Sequence, residues 1–139
     1  MLSKIEIMPY VLAVGDDEED IAFLKQAFHA QPGNIPVTCL SKGLKLLDFI
    51  SNQPRTEFPF LIVIDQYLPD INSLELLIKL KVHQHSKLIP VAIMAGFASE
   101  DLIREYYLAG ANCFYKKPLD LPDWSHMADC LLTLFYNRY

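Results

Sequence analysis

The sequence of 139 residues lacks long apolar runs and paired-cysteine motifs. No stretch approaches the ~18 consecutive apolar residues of a transmembrane helix, so no membrane span is expected. The three cysteines, Cys39, Cys113 and Cys130, are odd in number and too widely spaced for a CxxC motif. Such usage is typical of a reducing compartment and argues against a disulfide framework or a zinc site. We therefore expect a cytoplasmic protein.

Clustered positive charge is scarce as well. The net charge is −5, and Lys116-Lys117 is the only basic doublet. Nucleic-acid binding usually requires a basic patch, so no nucleic-acid partner is expected. The histidines form neither an HExxH motif nor a His–Cys cluster. The opening segment, 1–7, has no long apolar core and no small-residue cleavage site, so a signal peptide is not expected.

The composition is that of one globular domain. Apolar residues make up 52% of the chain and charged residues 21%, which excludes a disordered protein,. The length suits a single core and is short for two. We predict one domain over residues 1–139, with its core over about 10–138 and no output domain.

Short apolar runs alternate with segments of helical periodicity. This alternation predicts βαβ units, a parallel sheet and helices on both faces, that is, a doubly wound (βα)5 fold of three layers. Ser99 is the predicted N-cap of the fourth helix, and Gly110 closes that helix. The five predicted strands lie at 10–14, 37–40, 60–65, 91–94 and 112–115.

The third predicted strand carries a carboxylate to the edge of the sheet. Residues 60–64 are a continuous apolar run of the kind that is buried on both faces of a parallel sheet, and Asp65 follows them,. Ligands of open α/β sheets bind at the carboxyl ends of the strands. Asp65 is therefore predicted to be either a ligand or nucleophile at this edge, or the cap of a turn.

Other polar residues are predicted to meet Asp65 at this edge. Asp16 and Asp17 follow the first strand, and Lys117 follows the fifth. Clustered carboxylates favour a hard cation such as Mg²⁺, and an aspartate can itself form an aspartyl-phosphate. A phosphoryl-accepting aspartate is one interpretation, and an electrostatic cap on a flavodoxin-like fold is the other. The next acids, residues 18–20, are interpreted as first-turn helix acids.

Several spaced motifs together resemble the receiver domain of two-component response regulators. The resemblance covers about residues 10–138 and implies a flavodoxin-like sheet with strand order 2-1-3-4-5. The motifs are Val14-Gly15-Asp16-Asp17, Leu61-Ile62-Val63-Ile64-Asp65, Leu68-Pro69-Asp70-Ile71-Asn72-Ser73-Leu74-Glu75, Ile89-Pro90-Val91, Leu108-Ala109-Gly110-Ala111-Asn112 and Lys117-Pro118.

The resemblance implies roles for individual residues. Asp65 matches the phosphoacceptor, and Lys117 matches the lysine that contacts the phosphoryl group. Asp16 matches a Mg²⁺ ligand, and Tyr67 matches the position whose backbone carbonyl also binds the metal, with Asp65 as a further ligand. In the family the peptide bond after this lysine is often cis.

Two positions depart from the family pattern. Gly15 stands in place of the first acid of the pair, which implies weaker metal binding, although Asp17 is a candidate to replace it. Ala95 stands where a Thr or Ser would bind the phosphoryl group and operate the switch. Phe114 occupies the aromatic switch position and lacks a hydroxyl.

The sequence thus predicts a signalling domain rather than an enzyme. It would take phosphate on Asp65 from a histidine kinase or phosphotransfer protein, and contact a downstream protein through its fourth helix, fifth strand and fifth helix. The alternative is a pseudo-receiver, an interaction module that works without phosphorylation. A flavin-binding protein is disfavoured because acids follow the first strand, where a flavin phosphate requires backbone donors. The sequence leaves the oligomeric state open, a homodimer included.

Overall fold

Five strands form a single parallel sheet in the computed structural model, which describes residues 8–136. The strand order is β2-β1-β3-β4-β5, and all four neighbouring pairs are parallel. The predicted flavodoxin-like fold and strand order are therefore confirmed. The strands are β1 (Val11–Val14), β2 (Val37–Leu40), β3 (Leu61–Asp65), β4 (Val91–Ala95) and β5 (Cys113–Lys116).

Five helices alternate with the strands. Side-chain oxygens of Asp17, Asn72, Ser99 and Asp120 accept backbone N–H groups at the starts of α1, α3, α4 and α5, as N-caps do,. Ser99 is the predicted cap of α4. The helices are α1 (Glu18–His29), α2 (Leu44–Ser51), α3 (Ser73–Val82), α4 (Glu100–Leu108) and α5 (Leu121–Phe135), with a short 3₁₀-helix at Arg55–Glu57.

The sheet has an apolar core on each face. On one side α1 and α5 pack against it, with Phe28 and Trp124 as their largest fully buried side chains. On the other side α2, α3 and α4 contribute a second cluster, which includes Leu76 and Tyr106. Because β1, β3 and β4 are covered on both faces, every residue in them is buried,. Asp65, at the carboxyl end of β3, is the only polar residue in these three strands.

The strand boundaries differ from the sequence prediction by about one residue. Tyr10 and Phe60 precede β1 and β3, whereas Ala95 and Lys116 extend β4 and β5 and pair with each other. No cis peptide bond occurs within residues 8–136, so the bond from Lys117 to Pro118 is trans, unlike the arrangement implied by the resemblance.

Some expectations concern residues that the structure does not describe. The absence of a signal peptide rests on 1–7, and the predicted core reaches 138, so both fall outside residues 8–136. Among the helices of that range, none has the length and apolar character needed to cross a membrane.

Candidate functional site

Asp65 places a carboxylate at the carboxyl edge of the sheet, as its position after an apolar run predicts. It is the last residue of β3, the strand between β1 and β4. Its side chain is only 5% exposed. Oδ1 accepts a hydrogen bond from the backbone N–H of Tyr67 at 3.1 Å, which fixes the carboxylate against the loop that follows,.

Lys117 supplies the positive charge that faces this carboxylate. Its Nζ lies 2.9 Å from Asp65 Oδ2 and 2.7 Å from Asp20 Oδ2. The backbone N–H of Lys117 donates to the carbonyl of Ala95 at 2.8 Å, which continues the β4–β5 ladder by one residue. This bond holds the lysine backbone at the sheet edge, so that its side chain reaches across to β3.

Burial and ion pairing have opposite effects on the pKa of Asp65, and likewise on the pKa of Lys117. Burial raises the pKa of Asp65, and the hydrogen bond from Lys117 lowers it by less, so the net shift is upward,. For Lys117, burial lowers the pKa, but the contacts with Asp20 and Asp65 outweigh burial and the net shift is upward. The lysine therefore remains an ammonium between two acids, and the buried aspartate depends on it for charge compensation.

Asp20 is the residue of the candidate site that sequence reasoning missed. It was expected to act only as a first-turn helix acid, and it does lie in the first turn of α1. The structure also brings it into contact with Lys117. The available signal was its spacing, because Asp20 precedes buried Leu24 and Phe28 by four and eight residues and so shares their inward face,.

The other predicted metal ligands lie in the segments that follow β1 and β3. Asp16 follows β1 and is solvent-exposed. The Oδ1 of Asp17 caps α1 by accepting the N–H of Asp20 at 3.0 Å, so its role as a substitute metal ligand stays a prediction. Tyr67 follows Asp65 by two residues, and its side chain is exposed. Within residues 8–136 no three acidic, histidine or cysteine side chains converge closely enough to hold a metal by themselves.

Gly15 lies directly beside the side chain of Asp65. A Cβ placed on Gly15 would lie 3.2 Å from the Cβ of Asp65 and 3.7 Å from its Oδ2. The first distance is short for a side-chain contact, so Asp65 would have to move by a few tenths of an ångström. An acid at this position would therefore lie against the oxygen that Lys117 now binds.

The predicted switch positions lack hydroxyl groups. Ala95 is buried at the end of β4. Phe114 lies on β5, half-buried, with its ring 5.4 Å from that of Tyr106 in α4. The backbone N–H of Phe114 donates to the hydroxyl of Tyr107 at 3.1 Å, which links β5 to α4.

A second contact connects α4 with the loop after Asp65. Ser73 Oγ donates to the carbonyl of Gln66 at 2.6 Å, so the hydroxyl of Tyr106 must donate to Ser73 Oγ, 2.5 Å away,. Both Ser73 and Tyr106 are buried. This chain of hydrogen bonds reaches from the residue after Asp65 to α4 without passing through Ala95.

Comparison with known proteins identifies related sequences. A family profile described as the response regulator receiver domain matches residues 11–129. The two-component response regulator ORR5 of rice (Oryza sativa subsp. japonica) is 29% identical over 124 residues, which cover 89% of each chain. The sensory/regulatory protein RpfC of Xanthomonas campestris is 26% identical over 110 residues, 78% of this chain and 14% of that protein. The matches thus include both plant and bacterial proteins.

Solved structures show the same fold. The phosphorylated cyanobacterial phytochrome response regulator RcpA superposes with a TM-score of 0.83 at 21% identity, over 95% of this chain and 96% of that one. The Mn²⁺-bound form of response regulator Rcp1 gives a TM-score of 0.80 at 24% identity, over 94% and 96% of the two chains. At these identities the likeness establishes the architecture alone.

Proposed function

The chain belongs to the response regulator receiver domain family, and we propose that it accepts a phosphoryl group on Asp65 from a histidine kinase or a phosphotransfer protein. One observation carries this proposal above the others. A buried carboxylate at the carboxyl edge of the sheet is 2.9 Å from a lysine ammonium that the same edge supplies. A buried charge pair is weak evidence for a stabilising role, whereas it is well suited to a group that changes charge during function.

The transfer uses Asp65 as a nucleophile. A carboxylate oxygen of Asp65 attacks the phosphorus of a phosphohistidine, the new O–P bond forms and the N–P bond breaks. The electron pair of the broken bond returns to the imidazole nitrogen, which takes up a proton. Lys117 then binds the added phosphoryl oxygens, because its ammonium already lies beside the acceptor,.

The oxygen atoms near Asp65 suit Mg²⁺. Asp16, Asp65 and the backbone carbonyl of Tyr67 would hold it, and all are hard oxygen donors. Mg²⁺ typically keeps several waters and takes one or two carboxylates plus a phosphate, which agrees with the few acids that the described part of the chain brings together,. When bound, Mg²⁺ supplies positive charge against the phosphoryl oxygens. The same fold occurs in the Mn²⁺-bound Rcp1 and the phosphorylated RcpA.

The substitution Gly15→Asp should strengthen Mg²⁺ binding. It adds a carboxylate whose Cβ lies 3.7 Å from Asp65 Oδ2, and a nearby cation relieves the repulsion between the two acids,. We expect Kd for Mg²⁺ to fall by about tenfold, equivalent to about 1.4 kcal/mol. Titration calorimetry would measure it. Gly15→Ala adds the same Cβ without the charge and should leave Kd near that of the wild type. Equal Mg²⁺ affinities for all three proteins would contradict the prediction and would show that Asp17, or no residue, takes the place of the missing acid.

The output surface is proposed to lie on α4, β5 and α5. Two large apolar side chains of α4 are exposed there: Leu108 at 81% and Tyr107 at 48%. Exposed apolar side chains that lie next to each other on a helix suit a protein partner. Phosphorylation of Asp65 would alter this face through two contacts of Tyr106 in α4, the ring contact with Phe114 of β5 and the hydrogen bond with Ser73 of α3.

A pseudo-receiver is the second candidate function. Gly15 and Ala95 favour it, since one removes an acid and the other removes the switch hydroxyl. Asp65, Asp16 and Lys117 favour phosphorylation, because a half-buried lysine shared by two acids has little structural use when no phosphoryl group is ever bound,. The two candidates predict opposite results in a labelling experiment.

Incubation with acetyl phosphate and Mg²⁺ tests the proposal. Wild-type protein should gain the mass of one phosphoryl group, and Asp65→Asn should gain none, because an amide is not a nucleophile of this kind. Intact-mass spectrometry under native and denaturing conditions measures both. Label on the Asn variant would show that another residue is the acceptor, and a folded wild type without label would favour the pseudo-receiver.

A further inference from the structure

Lys117 binds two carboxylates that have different fates in the proposed reaction. Asp65 becomes an acyl phosphate, whereas Asp20 remains a carboxylate. The two contacts are 2.9 Å and 2.7 Å long, and they are the only ion pairs within residues 8–136. A single ammonium is thus shared by an acceptor on β3 and an acid on α1.

The position of Asp20 is fixed by the helix that carries it. The backbone N–H of Asp20 donates to the Asp17 cap, so the first turn of α1 is closed at this residue. Four and eight residues further on, Leu24 and Phe28 are fully buried in the core. The Asp20 side chain is only 18% exposed. The fold of α1 therefore places this carboxylate at the site.

Asp20 competes with the phosphoryl group for the same cation. An incoming phosphoryl group brings further negative charge to an edge where two acids already share one ammonium. The charge-assisted contact between Lys117 and Asp20 must weaken before Lys117 can bind the phosphoryl oxygens at full strength. We propose that Asp20 is a positioning residue that restrains phosphorylation of Asp65 by holding the Lys117 ammonium, an inference that rests on the proposed function of Asp65.

Asp20 also orders Lys117, which would favour phosphorylation. We expect this effect to be smaller than the restraint. The lysine backbone is held by its hydrogen bond to Ala95, and its ammonium keeps Asp65 as a partner when Asp20 is neutral. Removing the Asp20 charge frees the cation for the phosphoryl oxygens and also removes a repulsive charge. Both changes favour the transition state over the ground state, and only such differences alter the rate.

Asp20→Asn should therefore accelerate labelling by acetyl phosphate. In this reaction an Asp65 oxygen forms the new bond to phosphorus, and acetate leaves with the electron pair of the broken P–O bond. The rate should rise by about threefold to tenfold, the usual net size of one intramolecular hydrogen bond. Glu19→Gln is the matched control, since it removes the same charge from an exposed position one residue away. Asp20→Glu should restore slow labelling.

Salt dependence separates the contact from general repulsion. At 1 M KCl the screening length is about 3 Å, so acceleration by loss of a distant charge would vanish, while release of a contacted cation would persist. Acceleration that vanishes at high salt, or that Glu19→Gln reproduces, would overturn the inference. If the wild type is labelled and Asp20→Asn is labelled no faster, the inference about Asp20 is wrong, whereas the proposed function of Asp65 stands. If neither protein is labelled, the proposed function is wrong as well. Labelling of Asp20→Asn alone would support a stronger restraint than proposed.

Discussion

Replacing Lys117 with alanine should slow phosphorylation of Asp65 by about 10²–10³-fold, the loss typical of removing one preorganised charged or polar group from a transition state. Its ammonium lies 2.9 Å from Asp65 Oδ2, and both groups are largely withdrawn from water. Charge developing on the transferred phosphoryl oxygens would then lack the cation that the protein provides. The substitution also leaves Asp20 and Asp65 without their shared counter-ion, which raises the cost of burying Asp65.

The neighbouring lysine provides the control. Lys116 is the last residue of β5, is exposed and takes no part in the two ion pairs that Lys117 makes. Lys116→Ala removes the same charge and should leave the labelling rate within about twofold, as surface charges contribute little. Initial rates with acetyl phosphate, measured by mass spectrometry, compare the two variants. Equal rates for Lys117→Ala and the wild type would remove Lys117 from the mechanism.

Ala95→Thr should strengthen the conformational response to phosphorylation by about ten- to a hundredfold. The added hydroxyl can donate one charge-assisted hydrogen bond to the phosphoryl group, worth about 1.5–3 kcal/mol. A ligand shifts a two-state equilibrium only by its differential interaction with the two states, so this bond adds directly to the bias. Ala95 ends β4 beside Lys116 and Lys117, which places its side chain at the carboxyl edge.

Ala95→Val separates the hydroxyl from the added bulk, because Val and Thr have nearly the same shape. Ala95 is only 1% exposed, so both variants must displace neighbours equally,. With beryllofluoride and Mg²⁺, amide chemical shifts at Phe97, Phe114 and α4 should change little in the wild type and the Val variant, and substantially in the Thr variant. A full rearrangement in the wild type would contradict this account. It would indicate that the response passes through the hydrogen bond between Tyr106 and Ser73 instead.

Most of the fold could be predicted because its signals are local and mutually consistent. Apolar runs marked all five strands, and Ser99 marked the start of α4. The 3₁₀-helix at Arg55–Glu57 has no counterpart in the sequence prediction, because three residues carry too little periodicity to be recognised,. Strand ends were one residue off at Phe60 and Ala95, since pairing with a neighbouring strand decides where a ladder stops.

The site was harder to predict because it is assembled across the sheet. Strand ends located Asp65 and Lys117, but the contact of Lys117 with Asp20 depends on how α1 packs against the sheet. The Tyr106–Ser73 contact likewise joins residues 33 positions apart in two different helices. Neither of these two contacts is marked by a local motif in the sequence. Such contacts follow from tertiary packing, which a periodicity pattern constrains only to a face.

The most direct test of the central claim is to locate the phosphoryl group on the chain. After labelling with acetyl phosphate and Mg²⁺, borohydride reduces an aspartyl-phosphate to homoserine, which survives proteolysis and is found by peptide sequencing. The account predicts homoserine at position 65 in the wild type and at no acidic position of Asp65→Asn. Homoserine at Asp16, Asp17 or Asp20, or at no position in a folded and treated wild type, would contradict it.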